Sequence, residues 1–331
     1  MKKILSVVLA IAMVFAMTAC GSSDTSSSSD EQIKIGVMQF GEFTALQNAY
    51  EGFVEGLEEA GYVDGENITI NYLSAAADTS NCPTIADTLI NDGSDLIFAI
   101  ATPSVSALKE KTTDIPVLFT AVTDAVGSEI VASNEEPGGN ISGTSDMNPV
   151  AEQIDLLKEM LPDAQKVAVF YCSSESNSAI QYELAKAQIE ALGMECVQKT
   201  ISTIDEAKSS IESLKGQVDC IYIPTDNTIS DSMALVSSVA NENGLPIICG
   251  EPGMVENGAT ATFGIDYKEL GKQTAAMAVK ILESEDPLAT IAAMPVEFQT
   301  EDCVTAINQA SIDALGLKVP QSILDRAQVI E

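Results

Sequence analysis

Asp95-Leu96-Ile97-Phe98-Ala99-Ile100 opens on an acid, runs through apolar residues rich in β-branched and aromatic types, and stops before the polar Thr102-Pro103-Ser104. Such a run reads as a β-strand. About 125 residues further on, Asp219-Cys220-Ile221-Tyr222-Ile223 repeats the pattern and stops before Pro224-Thr225-Asp226-Asn227, which marks a duplicated unit. The likeness extends outward in both directions. Ile33 to Met38 and Lys166 to Tyr171 read as first strands of the two copies. Glu59-Ala60-Gly61-Tyr62 answers Ala191-Leu192-Gly193-Met194, each Gly placed as a helix C-cap, and Asp114-Ile115-Pro116-Val117-Leu118 answers Gly244-Leu245-Pro246-Ile247-Ile248.

Between these runs the spacing turns helical. Leu46, Tyr50, Phe53, Val54 and Leu57 share one helix face, Ile85 and Leu89 mark a second helix, and Ile180, Leu184, Ala187 and Ala191 share a face in the second copy. Ile68 to Leu73 is a further strand. Strands alternating with helices predict an α/β chain of two Rossmann-like lobes built on largely parallel sheets. Open parallel sheets present ligands beyond the carboxyl ends of their strands. In the first lobe those ends are Gln39 to Phe43, Thr102 to Ser104 and Thr120 to Asp124; in the second they are Cys172 to Asn177, Pro224 to Asn227 and Gly250 to Pro252. Short polar residues beside helix starts suit a small polar ligand. The same residue types also cap helices, and for each residue singly that reading stays open.

Composition removes several functions. The 331 residues hold 49 acidic against 16 basic side chains, a formal charge of -33, no His and no Trp. Such a chain repels nucleic acid, whose binding needs clustered Lys and Arg. Without histidine a Ser-His-Asp triad, a Cys-His dyad and His-ligated zinc are excluded. No phosphate-binding loop, GxGxxG, GxSxG or HExxH motif is present, so neither an enzyme nor a cofactor or metal is expected. Lys2 and Lys3 followed by the apolar run Ile4 to Ala16 and Met17-Thr18-Ala19-Cys20 read as a secretory signal over residues 1–19. Cys20 then stands where a bacterial lipoprotein is lipidated, and residues 20–32, rich in Ser, read as a flexible tether. The remaining cysteines show no CxxC spacing and are expected as buried thiols, with a disulfide open outside the cytosol.

Ile100-Ala101-Thr102-Pro103-Ser104, Pro116 to Asp124, Gly138 to Asp146, Tyr222-Ile223-Pro224-Thr225-Asp226-Asn227 and Gly264-Ile265-Asp266-Tyr267 together resemble the substrate-binding lipoproteins of ABC transporters whose characterised members bind tryptophan and other aromatic amino acids. The resemblance runs from about residue 33 to the C-terminus and implies the type I periplasmic-binding-protein fold, with two lobes joined by a three-strand hinge. It implies lobe one over 33–143 plus 264–297 and lobe two over 144–263 plus 298–331, with the helix carrying Leu270, Thr274, Met277 and Ile281 on lobe one and a C-terminal helix from about Ala306 on lobe two. It places Gln39 and Phe40 near the ligand side chain, Thr102, Ser104, Thr123 and Asp124 on the lobe-one wall, Ser176, Asn177, Asp226 and Asn227 on the lobe-two wall, Glu251 at the next strand end and Asp266 at the hinge. The ligand carboxylate would sit at the helix start around Thr102 to Ser104, and its ammonium would pair first with Asp226, then Asp124 or Asp266. Phe40 or Phe43 would stack on an aromatic ligand. Partners implied are the ABC permease with its ATPase, and the membrane through lipid on Cys20, for a monomeric body on the extracytoplasmic face. Relatives often carry His-Pro where this chain has Glu42-Phe43-Thr44, and Pro where it has Ala125, so the loop that would read ligand shape departs from the pattern. A sugar or nucleoside ligand in the same fold, or a sensor subunit that presents its ligand to a receptor, are the alternatives.

Overall fold

The computed structural model describes residues 32–299 and 303–331. The signal peptide, Cys20 and the Ser-rich tether, which were read over residues 1–31 and Gln32, fall outside the described residues except for Gln32. Strands are β1 Ile33–Gln39, β2 Ile68–Ser74, β3 Leu96–Ile100, β4 Val117–Val122, β5 Ile141–Ser145, β6 Lys166–Cys172, β7 Glu195–Ile201, β8 Cys220–Ile223, β9 Ile247–Cys249, β10 Ala261–Gly264, β11 Glu297–Phe298, β12 Val304–Asn308 and β13 Ala327–Ile330. Helices are α1 Thr44–Glu59, α2 Cys82–Asn91, α3 Thr102–Lys109, α4 Val150–Met160, α5 Ser176–Ala191, α6 Ala207–Leu214, α7 Asn227–Asp231, α8 Met233–Glu242, α9 Pro252–Glu256, α10 Tyr267–Leu282, α11 Pro287–Ala292, α12 Gln309–Leu315 and α13 Gln321–Leu324.

Two sheets result, in the orders β11-β5-β4-β3-β1-β2 and β13-β12-β10-β9-β8-β6-β7. Every pairing is parallel except β10 with β12. The chain passes from the first sheet to the second after β5, back after β10, and over again after β11, so three crossings join the lobes.

The repeated residues do the same work in both copies. Asp95 Oδ2 accepts from the backbone N–H of Lys34 at 2.8 Å, and Asp219 Oδ2 accepts from that of Lys166 at 2.8 Å, so each acid locks the start of the first strand to the strand beside it. The carbonyls of Pro116 and Pro246 each accept from the central strand, at Ile97 and Ile221, at 2.9 Å. Gly61 and Gly193 turn the chain out of α1 and α5 at φ of 90° and 77°, a left-handed conformation that glycine adopts without steric cost. Phe98 and Tyr222 are counterparts that diverged. Phe98 stacks on Phe53 of α1 with centroids 3.8 Å apart, whereas Tyr222 uses its hydroxyl to donate to Gln153 of α4 at 2.6 Å.

Helix α10 packs on α1 beside the first sheet with Leu270, Thr274, Met277 and Ile281 buried. The two helices touch backbone to backbone. A Cβ at Gly52 would collide with the carbonyl oxygen of Lys268, and one at Gly271 with that of Ala49.

Two readings are corrected. The helix expected from about Ala306 begins at Gln309, capped by Asn308, because Val304 to Asn308 form β12; β-branched Val304, Thr305 and Ile307 favour a strand there. On α5 the face of Leu184, Ala187 and Ala191 is exposed, and the buried face carries Ser178, Gln181, Tyr182, Ala185 and Ile189. Polar side chains that are hydrogen-bonded inside hide that face from a hydropathy reading.

Candidate functional site

The carboxyl ends of both sheets meet across one cleft. At the end of β1, the carbonyl of Gln39 accepts from Ala75 N, Phe40 N donates to Ile100 O, and Phe40 O accepts from Ala77 N, so this loop is tied to both neighbouring strands. Next to it the backbone is strained. Ala76, Ala77, Ala101 and Ala121 hold φ of 52°, 56°, 79° and 54°, and all four lie at the ends of β2, β3 and β4. Each such residue costs on the order of 1–3 kcal/mol, and such strain gathers where a structure positions a ligand.

The lobe-two wall is organised by two acids. Asp226 caps α7: its Oδ1 accepts from Ile229 N at 3.0 Å, while Oδ2 accepts from Cys172 N and Ser178 Oγ, both at 2.7 Å. Glu175 reaches the same helix start, its Oε2 accepting from Asn227 N at 2.9 Å and Asn227 Nδ2 at 2.7 Å, its Oε1 from Thr228 N and Oγ1 at 2.7 Å. Burial, and then the nearby Glu175, push the Asp226 carboxyl well above the ordinary carboxylate range. Glu251, the cap of α9, is likewise pushed up to about 8 by burial.

A cavity of about 310 Å³ lies between the lobes, with Phe40, Cys82, Pro83, Thr102, Pro103, Ser106 and Glu110 on one side and Ser174 to Asn177 and Thr228 on the other. That volume is in the range of small-molecule sites. A second void of about 20 Å³, the size of one water, lies between the lobes and is bordered by Thr123, Asp146, Asn177, Asp226, Asn227, Glu251 and Tyr267. Asn177 borders both, and no lysine or arginine borders either. The walls touch directly: Thr123 Oγ1 lies 3.3 Å from Thr225 Oγ1, Ser128 Oγ 3.1 Å from Ser176 Oγ, and Asn257 Nδ2 donates to Thr44 Oγ1 at 3.3 Å. At the crossings, Asp146 accepts from Tyr267 OH at 2.6 Å and from Thr123 Oγ1 at 3.2 Å, and Asn148 Oδ1 accepts from Ile265 N at 3.1 Å, so the first crossing is bonded to the second. Burial raises the Asp146 carboxyl and the Tyr267 hydroxyl above their ordinary values.

Of the residues singled out in the sequence, Phe40, Thr102, Ser176 and Asn177 border the larger cavity, and Thr123, Asn177, Asp226, Asn227 and Glu251 the smaller. Gln39 and Ser104 are fully buried at the same strand ends and border neither cavity, and Gln39 Oε1, Ser104 Oγ and Asn177 Oδ1 have no hydrogen-bond partner among the described residues. Asp124 and Asp266 border neither cavity. Asp124 Oδ1 accepts from Val126 N and Gly127 N within its own turn, and the exposed Asp266 caps α10 through Lys268 N and Glu269 N. Asp266 thus serves as a helix cap, and Asp124 closes its own turn. Sequence reasoning passed over Ser106 and Glu110, although they follow Thr102 at one helical face, and over Cys82 and Pro83, because the end of β2 was left out of the strand-end set. Glu175 lay inside a quoted strand end but was not singled out. Among the described residues no cluster of three His, Cys, Asp or Glu is placed to hold a metal, no disulfide is formed, Cys82, Cys172, Cys220 and Cys249 are buried as expected whereas Cys196 and Cys303 are half-buried, and no helix is long and apolar enough to cross a membrane.

A tyrosine-binding protein of Clostridioides difficile strain R20291 is 40% identical, across 97% of this chain and 96% of its own length. The structure of a Streptococcus pneumonia ABC domain in complex with L-Trp superposes with a TM-score of 0.85 at 34% identity, covering 91% of this chain and all of that one. The ligand-free, open structure of a Clostridium difficile substrate-binding protein is nearer in sequence, at 41% identity, yet superposes with a TM-score of 0.69 over 90% of this chain and 99% of that one. The two lobes here are thus arranged more as in the L-Trp complex than as in the open structure. The fold is the type I periplasmic-binding-protein fold. The sequence model of the ABC transporter substrate binding protein family matches residues 34–330, and with these likenesses the chain belongs to that family.

Proposed function

We propose that this chain binds an aromatic amino acid between its lobes and delivers it to the permease of an ABC importer, working on the extracytoplasmic face of the membrane with a lipid on Cys20 as its anchor. The observation that carries the reading is the inter-lobe cavity of about 310 Å³, which has an apolar side at Phe40, Pro83 and Pro103 and a polar side at Ser176 and Asn177. Its kinship to a tyrosine-binding protein and its likeness to an L-Trp complex support the choice of ligand. In this reading Phe40 faces the ring, Thr102 and Ser104 at the start of α3 hold the carboxylate, and Gln39 Oε1 and Asn177 Oδ1 accept from the ammonium. Asp226 adds one lone-pair direction at most, since its carboxylate already accepts three hydrogen bonds. The lobes, expected over 33–143 with 264–297 and over 144–263 with 298–331, move as bodies about the crossings, with Thr144, Ser145 and Phe298 carried by the first sheet and Gly264 by the second, so each hinge lies beyond those residues.

A thermal-shift screen of the twenty amino acids, common sugars, polyols and nucleosides, followed by calorimetry on each hit, tests this. Tyrosine, phenylalanine or tryptophan should raise Tm in proportion to the logarithm of ligand concentration over Kd. A shift with polyols or nucleosides and none with aromatic amino acids overturns the ligand assignment.

A further inference from the structure

Resting on the reading of this cleft as an aromatic amino-acid site, we infer that the ligand is selected by its cationic amine and that its carboxylate contributes little, so that the ligands include aromatic amines that have no carboxylate. Three observations converge. The first is charge. Glu110 and Glu175 border the larger cavity, and no lysine or arginine borders it to meet a carboxylate.

The second is the orientation of two buried amides. Gln39 Nε2 donates to Gly41 O at 2.8 Å, and Asn177 Nδ2 donates to Thr225 O at 2.8 Å and to Glu175 Oε2 at 3.2 Å. Both N–H bonds of Asn177 are thereby used and one of Gln39, while the oxygens, Gln39 Oε1 and Asn177 Oδ1, have no partner among the described residues, and of the two residues Asn177 borders the cavity. Gln39 is fully buried and Asn177 is 2% exposed, so each oxygen left without a donor carries a desolvation cost. An ammonium supplies N–H donors to such atoms; a carboxylate has none to give.

The third is the state of the helix starts. The first three N–H groups of α7 are taken by Glu175 and Asp226, so this end offers nothing to an anion from outside. Helix α5 begins at the cavity, but Glu175 stands at its N-cap, and a full negative charge outweighs the roughly half charge of a helix N-terminus. The start of α3, with the Ser104 hydroxyl, remains for a ligand carboxylate, and it is neutral apart from its own dipole.

Calorimetry on the full-length mature chain with L-tyrosine, tyramine and 3-(4-hydroxyphenyl)propionate separates the groups, since all three carry the same ring. Tyramine is expected to bind within about tenfold of tyrosine and the propionate at least about a hundredfold more weakly, differences of about 1.4 and 2.7 kcal/mol. The same order is expected for L-tryptophan, tryptamine and indole-3-propionate. Tyrosine or tryptophan binding while its amine falls more than tenfold behind, or while its propionate comes within a hundredfold, overturns this inference and leaves the aromatic amino-acid reading standing. No binding by any of the six overturns that reading, and this inference with it.

Discussion

Replacing Glu251 by Gln should flatten the pH dependence of stability between pH 5 and pH 8. Glu251 is 2% exposed and caps α9, and burial raises its carboxyl from 4.5 to about 8 against the opposing hydrogen bonds from Gly253 N and Met254 N. Glu256 and Asp146 are the charged neighbours that push the same way. A carboxyl raised on folding binds its proton more tightly in the native state. Its contribution to stability is therefore complete below the unfolded value of 4.5 and is lost as pH rises through about 8. Each pH unit inside that window costs about 1.4 kcal/mol, so from pH 5 to pH 8 this one group removes about 3–4 kcal/mol from the native state. Gln keeps an oxygen to accept from Gly253 N and does not titrate. Urea unfolding of both proteins at pH 5, 6, 7 and 8 measures the effect. Asp226 titrates in both proteins and largely cancels in the difference, whereas Asp146, coupled to Glu251, contributes to it. The wild type should lose about 3–4 kcal/mol more than Glu251→Gln across the range. Parallel profiles would refute the claim that burial holds this carboxyl protonated.

Gly271→Leu should lower stability by at least about 2 kcal/mol, because its side chain collides with the Ala49 carbonyl and forces α10 off α1; the midpoint of urea unfolding checks it. Ala101→Gly should stabilise by about 1 kcal/mol by relieving a φ of 79°, seen as a higher Tm, and an unchanged or lower Tm would mean that the strain is not there. Thr123→Val removes the hydroxyl that lies within hydrogen-bond distance of both Asp146 and Thr225, and should weaken tyrosine binding by about tenfold in calorimetry. Cys20→Ala should move the protein from the membrane fraction to the medium, read by immunoblot of fractionated cells.

The architecture was legible because the duplicated landmarks are backbone devices. Asp95 and Asp219 lock strand starts, and Gly61 and Gly193 end helices, and such roles leave the same residue at the same place in both copies. The site was less legible because a strand-end acid looks the same whether it faces a ligand or caps a helix. Asp266 and Asp124 turned out to serve their own backbone, whereas Glu175, which organises the lobe-two wall, stands in a loop with nothing in its spacing to mark it. The buried face of α5 escaped for a related reason. Gln181 is buried there because it donates to Thr225 Oγ1 at 2.6 Å, and a hydropathy pattern counts a satisfied buried amide as surface.

One line of hydrogen bonds links the crossings to the cleft. Tyr267 donates to Asp146, Asp146 accepts from Thr123, Thr123 meets Thr225, and Thr225 accepts from Gln181 on α5. The Thr123–Thr225 contact is the link that joins residues of opposite walls, at 3.3 Å, and it is the longest of the four. A neutral contact of that kind is worth about 1 kcal/mol net, and the Ser128–Ser176 and Asn257–Thr44 contacts across the walls are of the same kind. In the proposed cycle a ligand bonded to Gln39 on one wall and Asn177 on the other would add its contacts in parallel with that link. Because those contacts exist together when the walls meet, the ligand's differential affinity for the closed state sets how far the equilibrium moves. A ligand that engages one wall alone, however tightly, would leave the lobes open, so affinity and closure must be measured separately, the first by calorimetry and the second by the radius of gyration in solution.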